Sequence, residues 1–144
     1  MNDDTVRRGK RILIVEDDPH LHRLTAYHLS KNGFKVVSAY DGFDVMTRLS
    51  QESCDLAVVD VMLPGMDGFR VCEFIKDVLQ IPVIIISAKT QPLDKIFGKA
   101  CGADYYLTKP FRLVELTEVV KRLISVPGER DLAAVRGEDS GGGQ

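Results

Sequence analysis

Leu56 to Gly68 reads L-A-V-V-D-V-M-L-P-G-M-D-G, and the rest of the chain can be placed from this stretch. A short apolar run with β-branched valines, Leu56 to Val59, ends in one carboxylate, Asp60. That composition suits a strand buried on both faces, which has no need of polar alternation. An acid inside such a run is costly to desolvate, so Asp60 is expected where the strand emerges. The chain should then turn over Pro64-Gly65, with Asp67-Gly68 opening a helix. On this stretch alone, Asp60 reads equally well as an ordinary strand end or as a functional acid.

The flanking sequence repeats the pattern. Ile12 to Val15 is a strand candidate ending in Glu16-Asp17-Asp18-Pro19, in which Asp18 is an N-cap and Pro19 the first helical residue. The following helix should bury Leu21, Leu24, His28 and Leu29 and stop at Asn32-Gly33. Phe34 to Ala39 is a more polar strand, suited to an edge or near-edge position, followed by a short helix with apolar Phe43, Val45, Met46 and Leu49. A helix predicted over 67–79 carries Phe69, Val71, Cys72, Ile75, Val78 and Leu79 inward. Val83 to Ile86 is the most hydrophobic strand and is placed inside the sheet. A short helix predicted over 93–101 closes at Gly102, Tyr105 to Thr108 is the fifth strand, and a last helix over 113–124 has Leu113, Leu116, Val120, Leu123 and Ile124 at helical spacing. Five β-α repeats imply an α/β fold, a doubly wound parallel sheet with right-handed crossovers and helices on both faces. Ligands of such sheets bind beyond the carboxyl ends of the strands.

Composition narrows the function. The 144 residues suit one domain, read here as residues 10–125 between a loose segment 1–9 and a flexible, Gly-rich tail or truncated linker 126–144. With 19 basic and 21 acidic residues, no broad nucleic-acid surface is expected. No apolar run approaches the roughly 20 residues of a membrane span, and no apolar core of a signal peptide follows the N-terminal basic residues. Cys54, Cys72 and Cys101 form no C-x-x-C pair, so they read as small apolar side chains in a reducing, cytoplasmic setting. His20, His22 and His28 share one helix, but positions two apart do not share a face. They read as solvated or partly packed rather than as ligands.

The strand ends carry the chemistry. Strand one ends in Glu16-Asp17, strand three in Asp60, strand four in Ser87-Ala88 and strand five in Lys109-Pro110. Three carboxylates, one hydroxyl and one ammonium thus fall on one edge. Two carboxylates about 4 Å apart repel by roughly 4 kcal/mol at an effective dielectric near 20. A single lysine offsets part of this, and a hard divalent cation such as Mg²⁺, with oxygen ligands and open positions for water, would relieve the rest. A cation on one side and an ammonium on the other make a site for an incoming phosphoryl group, with Asp60 as nucleophile and Ser87 as donor. The acidic, glycine-free first turn argues against a flavodoxin or a P-loop enzyme.

Four motifs together resemble the receiver domain of two-component response regulators, the CheY-like family. They are I-L-I-V-E-D-D-P from Ile12, V-V-D-V-M-L-P-G-M-D-G from Val58, P-V-I-I-I-S-A-K from Pro82 and G-A-D-Y-Y-L-T-K-P-F from Gly102. The resemblance runs from about Lys10 to Ile124. It implies the flavodoxin-like strand order 2-1-3-4-5. It implies Mg²⁺ held by Asp17 directly, Glu16 largely through water, Asp60 and the Met62 backbone carbonyl. Asp60 becomes the phosphoacceptor, Lys109 the phosphoryl-binding lysine, Ser87 the switch hydroxyl and Tyr106 the aromatic that turns inward. Pro110 matches a proline that is often cis. Lys89 and Met62 flank the site and should tune hydrolysis.

The implied partner is a sensor histidine kinase or a histidine phosphotransfer protein. The phosphoryl group then reshapes the face made by the helix predicted over 93–101, the fifth strand and the last helix. That face is expected to bind a downstream protein or an output domain absent from the sequence, with no direct contact to nucleic acid or membrane. The chain is expected to be a switch that catalyses only its own phosphorylation and slow dephosphorylation, not a turnover enzyme. Its expected state is a monomer or a phosphorylation-dependent dimer. Tyr105 and Val119 replace charged residues that commonly pair in dimers of DNA-binding members, and they read either as an apolar docking surface or as scattered surface hydrophobics. Two other readings stand beside this one. A phosphorylation-independent receiver would serve as an interaction module. A Mg²⁺-dependent aspartyl phosphatase would often carry a second aspartate where this chain has Met62.

Overall fold

A computed structural model describes residues 9–62, 67–88 and 99–124. The expected Pro64-Gly65 turn, Lys89, most of the helix over 93–101, and the segments 1–8 and 125–144 lie outside the described residues; Lys99 and Ala100 are helical. Five strands form one sheet: β1 (Arg11–Val15), β2 (Lys35–Ala39), β3 (Leu56–Asp60), β4 (Val83–Ser87) and β5 (Tyr105–Thr108). Every neighbouring pair is parallel and the order is β2-β1-β3-β4-β5, as expected. The more polar β2 is an edge strand, while β3 and β4 are buried at all five positions.

Alternation along the strands builds a core on each face. Ile12 and Ile14 of β1 point to one side with Leu29, Leu116 and Val120; Leu13 and Val15 point to the other with Val45, Val71 and Ile75. Four helices are described: α1 (Pro19–Lys31), α2 (Gly42–Gln51), α3 (Gly68–Phe74) and α4 (Leu113–Ile124). Aspartates start three of them. The carboxylates of Asp18, Asp41 and Asp67 accept from the amides of His20, Asp44 and Phe69 at 3.0, 2.9 and 2.8 Å.

Several packing details depart from the sequence reading. The buried face of α1 is His22, Thr25 and Leu29, while Leu24 is exposed and Leu21 and His28 are half-buried. The helix docks in this phase because His22 finds a hydrogen-bond partner at the end of β1, so a polar residue can take the inner position. In α2, Val45 is buried but Phe43 is 80% exposed and Met46 is exposed. The expected helix over 67–79 divides: α3 ends at Phe74 and a π-helical turn, Ile75–Leu79, follows. Its wider i→i+5 turn rotates Val78 into solvent and leaves Leu79 packed on the core. Val119 is 2% exposed and belongs to the core under α4, so it forms no part of a docking surface. Tyr105 is half-buried against that core, with the Arg122 guanidinium 5.7 Å from its ring centroid.

Candidate functional site

Parallel register brings the strand ends level. Val15 of β1 pairs with Val59 of β3, so Glu16 and Asp60 follow side by side; Asp60 pairs with Ile86 of β4, and Ser87 pairs with Thr108 of β5. Lys109 comes next, and its amide donates to the Ser87 carbonyl at 2.7 Å. Residues nearly fifty positions apart thus meet because four strands all end on the same edge.

Asp60 is 3% exposed and both of its oxygens are engaged. The Met62 amide donates to Oδ1 at 2.7 Å, and Lys109 Nζ donates to Oδ2 at 2.8 Å. The same ammonium lies 3.6 Å from Glu16 Oε1, and the Asp18 amide donates to Glu16 Oε2 at 3.0 Å. Glu16 is 5% exposed and Asp17 is exposed. One oxygen from each of Glu16, Asp17 and Asp60 lies within 4.8 Å of the others, among the described residues the one group of three potential metal-binding side chains. An all-oxygen, anionic donor set fits a hard cation.

The electrostatics point the same way. Burial pushes the Glu16 carboxyl up from 4.5 to about 7; the charge of Asp60 adds to this, against the Asp18 hydrogen bond and the Lys109 ammonium. Burial pulls the Lys109 ammonium down, but its hydrogen bond to Asp60 and the charges of Asp60 and Glu16 outweigh that and raise it. Below about pH 7 the protonated form of Glu16 is therefore favoured, and a bound cation would displace that proton.

This sets a sign for metal-free stability. The raised Glu16 contributes stability that is full below 4.5 and is lost as pH rises through about 7. The Lys109 shift acts only above its ordinary 10.5 and does not interfere. Metal-free protein should therefore melt at a lower temperature near about pH 8 than near about pH 6. Melting followed in EDTA across that range checks this, and a melting temperature that rises with pH would contradict it.

Of the residues predicted from the sequence, Glu16, Asp17, Asp60 and Lys109 come together. Ser87 is fully buried at the end of β4, and Tyr106, in β5, is half-buried against the core beneath α2 and α3. Met62 contributes its amide to Asp60, while its side chain is exposed. The Lys109–Pro110 bond is cis.

His22 is the neighbour that sequence reading missed. It is buried rather than solvated, its Nδ1 lies 3.0 Å from the Glu16 carbonyl, and its ring stacks on Tyr40 at 4.3 Å. A carbonyl only accepts, so Nδ1 is the donor; Nε2 has no hydrogen-bond partner among the described residues. A histidine on an amphipathic helix carries no local sign of this contact. Its position one turn into the helix after Glu16 was the available signal.

The chain is similar to known proteins in both sequence and fold. Residues 12–121 match the response regulator receiver domain family. A CheY-like response regulator receiver domain protein from Methanospirillum hungatei JF-1 is similar at 29% identity and a TM-score of 0.75, over 81% of this chain and 94% of that one. The receiver domain of a signal transduction histidine kinase from Syntrophus aciditrophicus is similar at 36% identity and a TM-score of 0.75, over 81% and 91%. Response regulator DrrB of Thermotoga maritima, an OmpR/PhoB homolog, is similar at 30% identity and a TM-score of 0.75, over 81% of this chain but 52% of that one. Among the described residues no helix is long and apolar enough to cross a membrane. Since the family match runs from within β1 into α4 and takes in all four of the strand ends that build the acidic edge, the chain belongs to the response regulator receiver domains of two-component signalling.

Proposed function

We propose that Asp60 accepts a phosphoryl group from a phosphohistidine on a sensor histidine kinase or a histidine phosphotransfer protein. The observation that carries this reading is the buried Asp60 carboxylate held by Lys109 at 2.8 Å beside two further carboxylates. An Asp60 oxygen attacks phosphorus, the phosphorus–nitrogen bond breaks, and the imidazole leaves with a proton. The Lys109 ammonium follows the charge onto the phosphoryl oxygens, and Ser87 supplies a hydroxyl at the adjacent strand end. Glu16, Asp17, Asp60 and the Met62 carbonyl would hold Mg²⁺, which when bound neutralises charge on the transferred group.

The phosphoryl group draws Ser87 toward it, and Tyr106 turns inward. This reshapes the face of α4, β5 and the helix predicted over 93–101, where a downstream protein or an output domain binds. The receiver unit spans residues 10–125, works in the cytoplasm and is a switch rather than a turnover enzyme. The histidine kinase relative, whose receiver domain matches this chain, supports a place in a phosphorelay.

Intact mass after incubation with acetyl phosphate tests the chemistry. One phosphoryl adduct is expected with Mg²⁺ and none with EDTA. Equal labelling in both would remove the metal from the reading. Because Mg²⁺ competes with the Glu16 proton, its affinity should fall as pH drops below about 7. Titration calorimetry on either side of that value checks it, and unchanged affinity would take Glu16 out of the metal's surroundings.

A further inference from the structure

We propose that Cys72 and Cys101 form a reversible disulfide site, closed by hydrogen peroxide, that ties α3 to the segment leading into β5. Neither motif reading nor the phosphoacceptor site uses these residues, and the inference stands without that reading. The two sulfurs are 3.0 Å apart, although the residues are 29 positions apart in the chain. Both are reduced, Cys72 at 0% and Cys101 at 8% exposure. A disulfide sets its sulfurs about 2.05 Å apart, so closure asks for a movement of about 1 Å.

The fold already holds these two segments together. Lys76 in the π turn donates to Asp104 Oδ2 at 2.8 Å, and the same oxygen accepts from the Val83 amide at 2.8 Å. The stem of Lys76 lies beneath Gly102, a left-handed residue with φ of 88° that directly follows Cys101. The segments that follow each cysteine are therefore already held together, which limits the entropy lost on closure.

The pair is also asymmetric in a useful sense. The thiol–thiol hydrogen bond pulls the Cys101 thiol below its ordinary value against burial, with a further pull from the Ala103 amide. The same bond and burial push the Cys72 thiol up. The thiol with some exposure is thus the one that more readily becomes a thiolate. Cys101 attacks one peroxide oxygen and the O–O bond breaks. This leaves a sulfenic acid, and the departing hydroxide takes the thiol proton as water. Cys72 sulfur then attacks Cys101 sulfur, the S–O bond breaks, and a second water leaves with the Cys72 proton. Two thiols and one peroxide give one disulfide and two waters; a dithiol reductant reverses it by exchange.

The test uses the full chain, reduced and then exposed to hydrogen peroxide, quenched in acid, alkylated under denaturing conditions and mapped after trypsin. The expected product joins peptide 71–76 to peptide 100–112, with near-complete loss of alkylation at both cysteines and full recovery in dithiothreitol. The melting temperature should rise on oxidation and fall back on reduction. Cys54→Ala should behave as the parent does, and Cys72→Ala should give a dimedone-reactive sulfenic acid at Cys101. Peroxide-treated parent protein that keeps both thiols alkylatable would overturn the proposal. So would Cys101 passing to sulfinic acid without a linked peptide, or a bond to Cys54.

Discussion

Asp60→Asn is expected to lower phosphoryl uptake from acetyl phosphate by roughly three orders of magnitude or more, because the amide removes the nucleophile itself. The fold should survive. Asparagine keeps the shape and an oxygen for the Met62 amide, and Lys109 retains Glu16 as a partner 3.6 Å away. A second readout separates this from general damage. Burial raises Glu16, and the Asp60 charge adds to that. Removing the charge should lower Glu16 part of the way, with burial still holding it up, and lessen the loss of metal-free stability across neutral pH. Undiminished labelling of Asp60→Asn would move the phosphoacceptor elsewhere. A labelled parent whose downstream binding is unaltered by the substitution would favour a phosphorylation-independent module.

Gly68→Ala should be the most damaging small substitution near the site. A Cβ on Gly68 would stand 2.3 Å from Val61 Cα and 2.6 Å from the Asp60 carbonyl oxygen, both backbone atoms. Neither can rotate away as a side chain could. Either the start of α3 lifts off the sheet or the end of β3 moves with Asp60. The Gly68 amide, which donates to the Val61 carbonyl at 3.3 Å, would be disturbed as well. A loss of roughly 2–4 kcal/mol is expected. That corresponds to a fall in melting temperature on the order of 10 °C. Folded Gly68→Ala should also label more slowly than the parent at a temperature where both are native. A melting temperature and labelling rate equal to the parent's would show that α3 and β3 are not in such close approach.

Much of the site is legible because local rules and global register agree. Glu16-Asp17, Asp60, Ser87 and Lys109 each directly follow or end a strand run. Strands joined by helical crossovers also pair in parallel with their carboxyl ends together. Identifying the runs therefore places the acids on one edge before any coordinate is known. The helix starts are equally local, since Asp18-Pro19 and Asp67-Gly68 announce them through capping chemistry.

What the chain's own pattern determined was the element order, the α/β class, the strand ends that carry charge and the family. Tertiary structure decided the phase of each helix against the sheet: His22 rather than Leu24 facing inward, Val119 buried under α4, and Val78 turned out by the π turn. Periodicity reports how often a helix returns to one face, not which face docks; that choice depends on shape and hydrogen-bond partners distant in sequence. The sulfur pair of Cys72 and Cys101 belongs with these. Its closeness arises where α3 and the approach to β5 pack together, and nothing local to either cysteine encodes it.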